Sequence, residues 1–257
     1  MLILFTDEIS DEELIFGEPI ETIYGTIRFY SYKEYVKRLT DLSLISFSTL
    51  KFYYIIRSQL LEANAPKSDL IDLMGMKEIP LFDYVRMNPQ VLEAYARVFG
   101  ELISHENINY RHLDLYYEME EEDFLNIRSI IMKMNMLQEE RMSPSPRVQD
   151  RIDRGKKLKM RENGDAPTTE SILTSIFVET GIPFPQLLEM TAYQLLAVFK
   201  RIHSFKNFDV SVLMATVAPD VEIQRWDENH ENEIQGTGTE HAIDSGEFSK
   251  NIGGIFK

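Results

Sequence analysis

The chain has 257 residues, 44% of them hydrophobic and 11% aromatic, which is enough apolar material for the core of one large domain or two small ones. Its 42 acidic and 27 basic side chains give a formal charge of −15, which repels phosphate backbones and anionic lipid and argues against nucleic acid or a membrane as the ligand. There is no cysteine, so disulfides, thiolate metal sites and a thiol nucleophile are excluded, and a soluble, cytosolic protein is expected.

The opening "MLILFTDEISDEEL" has no basic region before its apolar residues and acids soon after them, unlike a signal peptide. In "EPIETIYGTIRFYSY", Ile20, Thr22, Ile27 and Phe29 alternate around Tyr24-Gly25, which predicts a β-hairpin with glycine in the turn. From Ser31 the spacing becomes helical through Tyr32, Tyr35, Val36 and Leu39. The run from Phe47 to Ala63 has strand-like composition but the length of a buried helix. Asn88 is a natural N-cap and Pro89 suits a first helical position, so a helix is expected from Pro89 to about Ser104, with Val91, Leu92, Tyr95, Val98, Phe99 and Leu102 on one face. Another is expected in "EEEDFLNIRSIIMKMNMLQEE", with Phe124, Ile127, Ile131 and Met134 inward.

At "RMSPSPRVQDRIDRGKKLKMRENGDAPTTE" the apolar pattern stops, which predicts a polar, basic linker with room for a short basic helix. Thr168 or Thr169 then caps a helix ended by Gly181, and Thr191 caps the next. The expected organisation is a hairpin plus helical domain over 1–142, a linker over 143–166, a helical unit over 167–226 and an acidic, glycine-containing tail over 227–257. The fold class is mainly α: a multi-helix globular fold with a small N-terminal β-hairpin and a flexible acidic C-terminal tail.

Candidate chemistry is sparse. The acid runs at 11–13 and 118–123 lack the alternating oxygen ligands and glycine turn of a calcium loop, and they read as solvated helix starts. His105, His112, His203, His230 and His241 include no pair at helical ligand spacing, and there is no hydrolase-type serine elbow. No cofactor or metal is expected and the chain reads as a non-enzyme, although a site assembled from distant residues would leave no local mark. The seven Lys and Arg between Arg147 and Arg161 have no aromatic residue among them, which fits a solvated linker or an intramolecular partner for the acidic ends better than a nucleic-acid site.

In "LEMTAYQLLAVFKRIHSFKNFDVSVLMATVAPD", Ala192, Leu195, Leu196, Phe199 and Ile202 form one helical stripe that Tyr193, Ala197 and Val198 widen. This predicts a helix buried nearly all round, with Lys200 and Arg201 capping its last turn. The same region carries Met190, Thr191, Tyr193 and Gln194, then Phe205 to Asp209, then Trp226. With the opening "GEPIETIYGTIRFYSYKEY" and the ending "EFSKNIGGIFK", it resembles tail assembly chaperone-like proteins of tailed bacteriophages.

The resemblance implies an assembly factor made in the host cell cytoplasm that binds the tape measure protein, helps recruit tail tube subunits and is absent from the mature virion. Self-association remains open. The alternative is a structural virion component, a tail completion or connector protein that stays in the particle. Phe248, Ile252, Ile255 and Phe256 are apolar residues set beyond the acidic tail, and they are the candidate partner-binding residues. The same residues would serve equally as a latch folded onto their own domain.

Overall fold

The computed structural model describes residues 9–104, 119–163, 167–218, 223 and 226. Helix α1 (Asp11–Phe16) begins at a capping box between Ser10 and Glu13 and ends at Gly17, whose φ of 69° is left-handed. A Cβ at Gly17 would lie 2.8 Å from Thr191 Cγ2, so close packing and backbone conformation both require glycine here. The expected hairpin forms from β1 (Ile20–Thr22) and β2 (Gly25–Ile27). Thr22 Oγ1 donates to Gly25 O and accepts from the Tyr24 N–H, closing the turn. A third strand, β3 (Ile103–Ser104), pairs antiparallel with β2, and Ile20, Ile27 and Ile103 are all buried.

Helices α2 (Tyr32–Lys37), α3 (Leu39–Ser46) and α4 (Thr49–Glu62) follow. The Phe47–Ala63 run is thus helical, because Ser48 caps it and Phe52, Tyr53 and Tyr54 find a core. After α5 (Lys67–Asp72), a 3₁₀ helix (Leu73–Glu78) and α6 (Leu81–Met87), helix α7 (Pro89–Leu102) starts as expected, with the Asn88 side chain accepting from the Val91 N–H. Its whole predicted face is buried. Helix α8 (Glu121–Met134) presents Phe124 to Phe82 and Tyr95, each with ring centroids 5.2 Å away. Burial of such a side chain contributes roughly 1.5–3 kcal/mol, so this aromatic cluster anchors the first half of the molecule.

The expected linker is largely a helix, α9 (Pro146–Asn163). It starts at Ser145, whose carbonyl accepts from the Val148 and Gln149 N–H groups, with proline in the first turn where no N–H is needed. Polar contacts hold it to the body. Gln149 is fully buried and bonds both the Ser143 N–H and Asp153, Arg57 pairs with Asp150 at 2.9 Å, and Lys156 pairs with Glu140. Such a helix leaves no apolar stripe in the sequence.

Helices α10 (Thr169–Thr180), α11 (Phe184–Glu189) and α12 (Ala192–Ala215) complete the described fold. Thr168 caps α10, Gly181 ends it at φ 72°, and Thr191 forms a capping box with Gln194. This region packs directly on the first. The Tyr32 N–H donates to Met190 O at 2.7 Å, Ser31 bridges Thr191, and Gln194 Nε2 donates to the α1 carbonyls of Ile15 and Phe16. Ile172, Ile176, Leu187, Ala192 and Leu195 join the same apolar core as the first half. No helix among the described residues is long and apolar enough to cross a membrane.

Candidate functional site

A dense charge network lies between α2, α3 and α7. Arg28 bridges Glu34 and the Glu101 carbonyl, Arg38 pairs with Glu101, Tyr30 donates to Glu101 at 2.8 Å, and Arg97 donates to Asp41 at 2.9 Å. Burial pushes the Glu101 carboxyl up, but hydrogen bonds from Arg38 and Tyr30 more than offset this and hold it below the ordinary carboxylate range. For Asp41 burial wins over Arg97 and Arg38, and its carboxyl is raised. Each of these groups is taken up by a partner within the fold. The cluster therefore acts as a brace between helices, with no group aimed at a ligand.

The acid runs sit where their chemistry puts them. Glu12 and Glu13 lie in the first turn of α1 and Glu121 to Asp123 in that of α8, where Asp123 also accepts from the Tyr24 hydroxyl at 2.7 Å. No group of His, Asp or Glu among the described residues is placed to hold a metal ion. His203 is exposed on α12, and the other four histidines lie outside the described residues. So do Phe248, Ile252, Ile255 and Phe256.

Helix α12 carries an apolar face that is exposed over its distal half. Only Ala192 and Leu195 are fully buried, so the expectation of a helix enclosed all round is corrected. The helix does not stop after Ile202 but continues to Ala215, because no glycine or proline interrupts "HSFKNFDVSVLMA". Lys200 and Arg201 are therefore mid-helix and cap nothing. Instead Arg201 Nη1 donates to the Trp226 carbonyl at 2.6 Å, while the Trp226 ring meets Phe205 edge-on at 5.7 Å.

The covered face of α12 runs through Ala192, Leu195, Phe199 and Ile202, packed against α1, α2 and α10. The last turn of α10 reaches Lys206, which pairs with Glu179 at 2.9 Å. Beyond that point the same face continues as Val210, Leu213 and, in the turn after the helix, Val217, exposed by 57%, 67% and 78%. Met214 beside them is also exposed. With 24 residues against 12, α12 is about 18 Å longer than α10 at 1.5 Å per residue, so its distal half extends past the end of α10. Val210, Leu213 and Val217 continue the three-and-four spacing of Leu195, Phe199 and Ile202 past Lys206, which is the sequence signal for this face.

A family model described as the YomV N-terminal domain matches residues 8–144, more than half of the chain, and one described as the YomV second domain matches residues 159–231. The chain belongs to the YomV family. It is 28% identical over 214 residues to the SPbeta prophage-derived uncharacterized protein YomV of Bacillus subtilis (strain 168), covering 82% of this chain and 84% of the relative. That relative is of prophage origin, in keeping with the bacteriophage part of the resemblance, and its name carries no role in tail assembly. No solved structure matches the chain. The second YomV domain model contains the whole of α12 with its uncovered face and Trp226.

Proposed function

We propose that this YomV-family protein is a non-enzymatic bacteriophage tail assembly chaperone that binds the tape measure protein and assists tail tube assembly in the host cytoplasm. The observation that supports this reading is the distal face of α12, where Val210, Leu213, Met214 and Val217 project past the end of α10 and are exposed among the described residues. An amphipathic helix of the partner laid along this face would bury the stripe as α1, α2 and α10 bury its proximal half.

The test is co-expression with the tape measure protein of the same phage. The wild-type chain is expected to co-purify with it, and Leu213→Glu with Val217→Glu to lose at least tenfold in affinity, about 1.4 kcal/mol, while remaining folded. Unchanged capture by the double variant would show that the face is not the docking site. Mass spectrometry of purified virions separates the chaperone from a tail completion or connector protein, since only the latter stays in the particle.

A further inference from the structure

We infer that the outer face of α9 is a docking surface for the chain's own acidic segment, residues 227–247. The inner side of α9 is occupied: Asp150 pairs with Arg57, Lys156 pairs with Glu140, and Gln149 is buried. On the outer side Arg147, Arg151 and Arg154 lie four and three residues apart on one exposed face, interleaved with exposed Val148, Ile152 and Leu158. Among the described residues no ion pair reaches Arg147, Arg151 or Lys157. At Gly155 an added Cβ would meet nothing within 4 Å, so the helix backbone is open to close approach there. Three guanidinium groups stacked along one face repel each other and suit carboxylates, which they bind in a forked geometry.

Charge complementarity selects the occupant. Residues 146–163 carry seven Lys and Arg against three acids, a local charge of +4, so the rest of the molecule carries −19 of the total of −15. A free polyanion is repelled by that remainder, whereas a tethered one is held at high effective concentration. Residues 227–247 contain seven carboxylates and no Lys or Arg, with Ile234 and Ile243 to meet the aliphatic residues of the face. The contacts of Trp226 with Arg201 and Phe205 fix where this segment leaves the body. Its 21 residues reach roughly 70 Å when extended, against about 27 Å for the length of α9. Seated there, the segment shields an arginine-rich helix from adventitious polyanions, and the cover weakens as salt screens it.

Carbodiimide cross-linking of the full chain carrying Arg151→Lys and Arg154→Lys tests this, because the reagent joins an amine to a carboxylate only where they meet. The Lys156–Glu140 pair serves as internal reference. Expected are links within the monomer from positions 151 and 154 to carboxylates of 227–247, lost at about 1 M salt. Formation of the reference link without them would overturn the proposal, and so would links confined to dimers, which would assign the face to a second copy. A second measurement uses immobilised heparin as the probe. Replacing the seven acids by their amides should cause retention that Arg147→Gln, Arg151→Gln and Arg154→Gln together abolish; retention that survives the arginine substitutions would also overturn it.

Discussion

Arg128 shows how one charged side chain is tolerated in the interior. It is nearly buried, and it donates to the carbonyls of Ile45 at 2.8 Å and Phe47 at 3.3 Å and to Glu139 at 2.6 Å, tying α8 to the end of α3. Arg128→Met removes the bonds to the Ile45 and Phe47 carbonyls and to Glu139, so a loss of about 1–3 kcal/mol in stability is expected, read from the denaturant midpoint. The depressed carboxyls set the acid response. Burial raises Glu140, but Lys51 and Lys156 outweigh it; Glu34 and Glu101 are likewise held below their ordinary value of 4.5. Depressed folded values mean stability that is present above about pH 4.5 and lost as pH falls through the folded values. Asp41 acts oppositely: its raised carboxyl disfavours the fold when ionised, and protonation relieves this as pH falls. The acid-side loss of stability should therefore flatten in Glu140→Gln, as measured by melting temperature against pH, and an unchanged slope would remove Glu140 from this account.

At the scale of one element, α12 divides into a covered and an uncovered half. Phe199 is half-buried against the common core, so Phe199→Ala should cost about 1–3 kcal/mol, below the 3–5 kcal/mol of a fully enclosed ring. Leu213 is exposed by 67%, and Leu213→Ala should move stability by less than about 0.5 kcal/mol. Equal effects from the two would mean that the stripe is enclosed along its whole length. Helix α9 makes the complementary point, because a helix fastened by Gln149, Asp150 and Lys156 depends on ionic partners that salt screens.

For the molecule as a whole, the bonds between Tyr30, Tyr32, Met190 and Ala192 and the Gln194 contact with α1 join the regions matched by the two YomV domain models. Leu187 is fully buried in the shared core. Leu187→Ala should accordingly lower one common unfolding transition, seen alike by far-ultraviolet dichroism and by tyrosine fluorescence, at a cost of about 2–5 kcal/mol. Two separated transitions would show that the regions unfold independently.

Local chemistry was legible from the sequence. The hairpin at Tyr24-Gly25, the caps at Asn88, Thr168 and Thr191, the stop at Gly181 and the inward faces of α7 and α8 each depend on residues a few positions apart, whose sterics and hydrogen bonds are settled by neighbours in the chain. For helix α9 only a short basic helix within a linker was legible, and neither its length nor its attachment, because its anchors are Arg57 and Glu140, ionic partners outside the helix itself. Nor was the fate of the α12 stripe. Leu195 and Leu213 are the same residue at equivalent positions on one helical face; α1, α2 and α10 enclose the first, and α10 ends before it reaches the second. Periodicity states which face is apolar; whether anything covers it depends on where other elements end, and that is a property of the assembled fold.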